Sequence, residues 1–169
     1  MTASRMFRTL EEYPKPIIAL VQGSCFGGGC GLAMACDIRV VAREDVTFSL
    51  SEVRIGFIPA VISTSVFLSG KVRPQLDTKS FRLIVRESLD SAATKVDEIV
   101  AQIALGAPDT QGDVKTLVAS AASASAEYHL KTVKRLFNGM LAPCLEGKYG
   151  LECFQAKKKP DWDSLRRQK

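Results

Sequence analysis

A single histidine, His129, is the first scarcity in this 169-residue chain, and no G-x-S-x-G occurs in it. A Ser–His–acid triad therefore lacks its nucleophile elbow, and the lone imidazole falls in a late helical region, where it reads as surface or core filler rather than a base. Cysteine lacks pattern: Cys25, Cys30, Cys36, Cys144 and Cys153 are odd in number and show no C-x-x-C spacing. They read as reduced core residues of an intracellular protein, which excludes a zinc site and a disulfide scaffold. Long apolar runs are missing too. Ile55 to Gly70, an apolar stretch without a charge, is interrupted by Pro59 and several serines and is too short to span a bilayer, so no membrane partner is expected. The opening "MTASRMFRTLEEYPKP" has no apolar core for a signal peptide. Neither repeats nor low-complexity segments occur, apart from one stretch rich in alanine and serine.

What is present is a globular balance: 46% hydrophobic and 24% charged residues, enough for one domain with its own core. The net charge of +5 comes largely from the C-terminal "QAKKKPDWDSLRRQK". A run of this kind can meet phosphates, but Trp162 is the only aromatic in it, so a nucleic-acid module is poorly supported and a solvated end is the plainer reading.

Local pattern divides the chain. Ile17 to Gly23, an apolar run behind Pro14 and Pro16, suits a buried strand, and "GGGCGLAMACD" supplies helix formers up to Asp37. Ile38 to Ala42 reads as a second strand and Val46 to Leu50 as a third, with a turn or short irregular piece over "SEVRIGFIP". Strand, helix, strand, strand implies an α/β unit with a glycine corner between strand and helix. Beyond Ser63 the pattern becomes helical: Arg73 to Ser80 is a polar connection, and helices are expected over Asp90 to Ala104, Val114 to Phe137 and Gly147 to Lys158.

Five glycines crowd into Gly23 to Gly31, directly ahead of the helix formers. A helix N-terminus carries unpaired N–H groups with partial positive charge, so a backbone stripped of side chains there can receive an anion. Phosphate is excluded by spacing: Gly27, Gly29 and Leu32 fail the dinucleotide fingerprint, and no Gly-Lys-Ser/Thr follows. A developing oxyanion is the remaining ligand, as in acyl chemistry; the alternative is that the glycines serve only close helix–strand packing. With hydrolytic triads excluded, carboxylates are the acid–base candidates. Glu52 is singled out because the two-strand return after the glycine helix can bring it back to the helix start, although a glutamate in a loop is more often solvated than catalytic.

Over Lys15 to Ser63 the order of elements, K-P-x-I-A-x-V-x-G, a G-G-G helix, A-C-D-I-R, a phenylalanine strand and S-E-x-R-x-G-x-I-P-A, resembles the signature half of the enoyl-CoA hydratase/isomerase (crotonase) superfamily. "GLECFQAKKKPDW", Gly150 to Trp162, resembles the family's ending. The resemblance implies an α/β, crotonase-like ββα spiral core, incomplete, over residues 1–72, and a C-terminal helical region with a basic tail over 73–169. It implies chemistry on an acyl-CoA thioester, with coenzyme A as part of the substrate and no separate cofactor or metal. By motif, Gly28 offers an oxyanion N–H, Glu52 falls on the second catalytic glutamate, and Gly27, Gly29, Gly31, Pro59 and Ala60 line the substrate. Phe154, Lys157 and Lys159 fall where the family's ending meets CoA. A homo-oligomer, trimer or hexamer, is implied, in the mitochondrial matrix of a eukaryote or the cytoplasm otherwise.

Two departures stand out. The family's first catalytic glutamate falls on Gly31, so a hydratase that holds water between two carboxylates is one short here. "FGGGxGL" with "LSEVRxGxIPAVIS" resembles methylglutaconyl-CoA hydratases and their isohexenylglutaconyl relatives of leucine and terpenoid breakdown, whose substrates carry a carboxylate of their own; a Δ3-Δ2 enoyl-CoA isomerase, which needs one glutamate only, is the alternative. Second, the resemblance implies a further half ahead of Lys15, with strands, the other oxyanion N–H and part of the CoA cradle, to which this chain has nothing comparable. That raises a third expectation, an inactive family-fold scaffold or RNA binder.

Overall fold

The computed structural model of the chain describes residues 3–50, 52, 56, 60, 83–123, 125–141 and 145–167. These divide into two compact units, Met1–Val100 and Ala101–Lys169.

The first unit is built on short parallel strands. β1 (Ile18–Val21) pairs in parallel with β3 (Ile38–Val41), Ile18 opposite Ile38 and Val21 opposite Val41, and β3 pairs in parallel with β5 (Ile84–Val85). A second sheet pairs β2 (Cys25–Phe26) in parallel with β4 (Phe48–Ser49). Successive strands therefore alternate between the two sheets, and α2 (Gly28–Ala35) carries the chain from β2 in one to β3 in the other. This is the α/β spiral winding expected from the sequence.

Alternation along β3 explains why its sequence reads as a continuous apolar run. Val40 and Ala42 face a cluster with Ile18, Leu20 and Ile38, covered by Ala92, Val96 and Ile99 of α3 (Leu89–Ile103). Val41 faces the other way, with Val21 and Ala19, onto Cys30, Ala33, Met34 and Ala35 of α2. A parallel strand buried on both faces has no polar side to show. The exception is Arg39, a charge inside that run.

Three elements of the first unit were not expected. α1 (Ala3–Glu11) turns Phe7 and Leu10 onto the α2 cluster and leaves Arg8 and Glu12 exposed as an i,i+4 ion pair at 2.7 Å; its apolar stripe is two residues wide, too narrow to register as a core. β2 and β5 are two-residue strands, defined by their partners rather than by their own pattern. The boundary expected at 72/73 lies outside the described residues; the first unit extends to Val100 because β5 pairs with β3 and α3 covers the sheet.

The second unit is helical: α4 (Pro108–Ser123), α5 (Ala126–Leu141), α6 (Leu145–Gln155) and α7 (Trp162–Arg166). Val114 to Phe137, expected as one helical region, is split between α4 and α5. Ser125 makes the second start, its Oγ accepting from Tyr128 N at 3.3 Å in N-cap geometry. α4 begins with Pro108, and its free N–H groups are met from another helix: the Glu146 carboxylate, 3% exposed, accepts from Asp109 N, Thr110 N and Thr110 Oγ1 at 3.0–3.1 Å. His129 is half-buried, its Nδ1 2.9 Å from Ser120 Oγ. That hydroxyl also lies 2.7 Å from Leu117 O, and the imidazole links α4 to α5. Among the described cysteines there is no disulfide, and no described helix is long and apolar enough to cross a membrane.

Candidate functional site

The glycine corner is positioned by the small second sheet. Cys25 N donates to Thr47 O at 2.8 Å, Gly27 N donates to Ser49 O at 3.0 Å, and Thr47 N donates to Ser24 Oγ at 3.1 Å. β4 therefore lies locked beside the strand that delivers the glycines, and three residues past Ser49 the chain presents Glu52. Gly27 has φ 49° and ψ −119°, the dihedral pair of the first central residue of a type II′ turn, which a side chain strongly disfavours. A methyl built on it would stand 3.3 Å from Glu52 Oε1. The carboxylate thus lies directly over the Gly27 Cα, in space only a glycine leaves.

α2 starts at once. Gly31 N donates to Gly27 O at 3.1 Å, the first bond of the helix, so the N–H groups of Gly28, Gly29 and Cys30 have no acceptor within it. No side chain caps this end, and methyls on Gly28 or Gly29 would meet nothing within 4 Å. The corner is a helix start without a side-chain cap, with open space beside the Gly28 and Gly29 Cα atoms and a carboxylate on its flank. A partial positive charge of about half a unit at such a start favours an anion or an oxygen becoming one. Three glycines in an eight-residue helix disfavour it by about 3 kcal/mol relative to alanine, offset by burial of Cys30, Ala33, Met34 and Ala35.

Glu52 is half-buried, and its Oε2 is buried with no hydrogen-bond partner among the described residues. An unpartnered carboxylate oxygen at such a place is an acceptor waiting for a proton or a donor. Cys30, fully buried, has its thiol pushed up to about 11, first by burial and then by the charges of Cys25 and Glu52. It stays a neutral thiol near pH 7.

The far end of α2 is held by the A-C-D-I-R junction. Asp37 N donates to Ile17 O at 3.0 Å while Asp37 Oδ2 accepts from Ile17 N at 2.8 Å, and Arg39 Nη1 donates to Cys36 O at 2.6 Å. Burial pushes the Arg39 guanidinium below its ordinary pKa, with Cys36 and Asp37 opposing.

Of the residues expected to form the site, Gly27, Gly28, Gly29 and Glu52 come together. Gly31 is buried in the first turns of α2, Ala60 is exposed at a turn, and Pro59 lies outside the described residues. Phe154, 79% exposed, lies in the last turn of α6 in the second unit, followed by exposed Lys157 and Lys159. Lys157 takes the left-handed conformation, φ 54°, and Lys158 N donates to Cys153 O at 2.9 Å, a helix stop that glycine usually provides. Sequence reasoning missed the Arg39 contact, although a charge inside an apolar strand run was its visible signal.

Residues 2–72 match the family model described as enoyl-CoA hydratase/isomerase. The chain is 28% identical to an enoyl-CoA hydratase of Alternaria alternata over 169 residues, covering 91% of this chain and 56% of that protein. It is 30% identical to a probable enoyl-CoA hydratase of Bacillus subtilis, covering 94% of this chain and 66% of that one. A crystal structure of an enoyl-CoA hydratase from Shewanella pealeana superposes with a TM-score of 0.77 at 28% identity, over 95% of this chain and 64% of its own. The chain thus spans little more than half the length of the Alternaria relative and about two thirds of the others. With the glycine corner and Glu52 inside the matched segment and the spiral winding shared with the superposed structure, this chain belongs to the enoyl-CoA hydratase/isomerase (crotonase) superfamily.

Proposed function

We propose that the corner performs acid–base chemistry on an enoyl-CoA thioester, Gly28 donating its N–H to the thioester oxygen and Glu52 carrying the proton. The observation that supports this most is the placement of Glu52, with its unpartnered Oε2, beside a helix start that no side chain caps. As charge develops on the thioester oxygen, one such donor is worth about 3 kcal/mol, or ten-squared to ten-cubed in rate. In hydration, Glu52 takes a proton from water as its oxygen bonds to C3, and C2 of the enolate then receives a proton from the same carboxyl. In the isomerase reading, Glu52 removes a C2 proton from a 3-enoyl thioester and returns it to C4; a single carboxylate suffices, and Gly31 in place of a second one favours this alternative.

For the hydratase, the finer proposal is a methylglutaconyl-type substrate, whose own carboxylate uses the room that a glycine at position 31 leaves. Coenzyme A enters as part of the substrate, with no resident cofactor. Phe154, Lys157 and Lys159 are proposed to meet it, so charge reversal of both lysines weakens CoA binding at low salt and less at high salt. A homotrimer or hexamer in the mitochondrial matrix or the cytoplasm completes the reading.

The test is Glu52→Gln, assayed on crotonyl-CoA, 3-methylglutaconyl-CoA and a 3-enoyl-CoA. The amide keeps the shape and cannot accept a proton near pH 7, so turnover of whichever thioester the wild type uses falls at least a thousandfold. Turnover within tenfold of wild type removes Glu52 from the chemistry, and wild type inert on all three favours the scaffold alternative.

A further inference from the structure

We infer that Arg39 is a positioning residue for the glycine corner: from β3 it clamps the carboxyl end of α2, and so holds in place the amino end where the Gly28 and Gly29 N–H groups stand open. Three observations carry this. Arg39 is 5% exposed in a parallel sheet whose neighbouring positions are aliphatic, and a desolvated guanidinium there is unfavourable unless it makes a specific contact. Its Nη1 donates to Cys36 O at 2.6 Å, the carbonyl at the C-cap of α2, while its Nε is buried with no partner among the described residues. One end of the guanidinium is committed to the helix while its Nε is left unsatisfied, so the helix carbonyl is its specific hydrogen-bond partner.

The need for a clamp follows from the helix itself. α2 has eight residues, three of them glycine, and no side-chain cap at its start. A cap there would occupy the N–H groups that an oxyanion must use, so an intrinsically weak helix has to be stabilised from its other end. A cation at the C-terminal carbonyls is favourable both as a donor and against the negative end of the helix dipole. Asp37 ties the same junction to Ile17, the residue directly before β1, so the clamp is anchored at the edge of the sheet.

The kinetic part of this inference rests on the proposed oxyanion role of the corner; the structural part does not. The experiment therefore reads both, in the full chain. Amide hydrogen exchange is measured for Arg39→Met, which keeps length without charge, and Arg39→Lys, which keeps charge. In Arg39→Met the amides of Gly31 and Leu32 exchange at least tenfold faster, those of β1 and β3 change less than twofold, and Arg39→Lys recovers part of the difference. In turnover, kcat for the enoyl thioester falls with little change in KM. Equal acceleration across α2, β1 and β3, or none in α2, overturns the clamp, since a merely packed arginine loosens the whole layer or nothing. If Arg39→Met does not fold, Arg39→Lys against wild type decides the same way: faster exchange confined to α2 supports the clamp and unchanged exchange overturns it. A wild type inert on thioesters but with the exchange pattern intact sinks the activity and retains the clamp.

Discussion

Replacing Gly27 by alanine perturbs one backbone conformation and one side chain, and the two effects separate by comparison with its neighbours. At φ 49° and ψ −119° a Cβ meets its own backbone, a strain of about 1–3 kcal/mol for a non-glycine residue. The new methyl also lies 3.3 Å from Glu52 Oε1, closer than ordinary van der Waals contact, so the carboxylate has to move by a few tenths of an ångström. Gly29→Ala is the control: its methyl meets nothing within 4 Å, and in a helix alanine is favoured over glycine by up to about 1 kcal/mol. The two substitutions, two residues apart, therefore have opposite signs on stability. With a urea dependence of about 2 kcal/mol per molar, Gly27→Ala lowers the unfolding midpoint by about 0.5–1.5 M, while Gly29→Ala leaves it unchanged or raises it. Equilibrium urea unfolding followed by circular dichroism reads the difference. Equal midpoints for the two variants would refute the argument, because they would mean that the Gly27 turn relaxes at no cost.

Gly28→Pro removes one donor at the first helical position, where proline's fixed φ is tolerated; thioester turnover drops about a hundred- to a thousandfold with folding retained, and unchanged turnover takes Gly28 out of the site. Cys30 has its thiol raised to about 11 from 9.0, so the folded state holds this proton more tightly than the unfolded one. Its contribution to stability is therefore complete below pH 9 and lost as pH rises towards 11; Cys30→Ala flattens the fall of the urea midpoint over that window, and an identical fall in both proteins counts against the shift. Glu146→Ala strips the cap from α4 and leaves the Asp109 and Thr110 N–H groups without their acceptor, which destabilises the second unit by about 1–3 kcal/mol; thermal unfolding reads it, with Glu146→Gln intermediate because one carbonyl oxygen remains.

Local chemistry carries the parts of this protein that its sequence determined alone. Apart from Arg39, the run from Ile38 to Ala42 is aliphatic because both faces of β3 are covered, and Gly27 is required by a turn at the head of a glycine-rich helix start, so strand, helix and corner were legible before any contact was known. Glu52 was legible as an acid–base candidate from its place after the two-strand return to the helix start, and the order of elements shared with the superfamily is what set it apart from an ordinary solvated loop glutamate. Tertiary structure decided the rest. That the Glu52 carboxylate stands over the Gly27 Cα depends on β2 and β4, two residues each, which exist only as a pair. The capping of α4 by a glutamate 37 residues away is likewise long-range, while the break between α4 and α5 and the commitment of Arg39 to the Cys36 carbonyl are short contacts fixed by their tertiary surroundings. Helix period and glycine spacing are short-range properties of the chain, whereas a buried charge or an unpartnered carboxylate oxygen acquires its meaning only from what the fold brings against it.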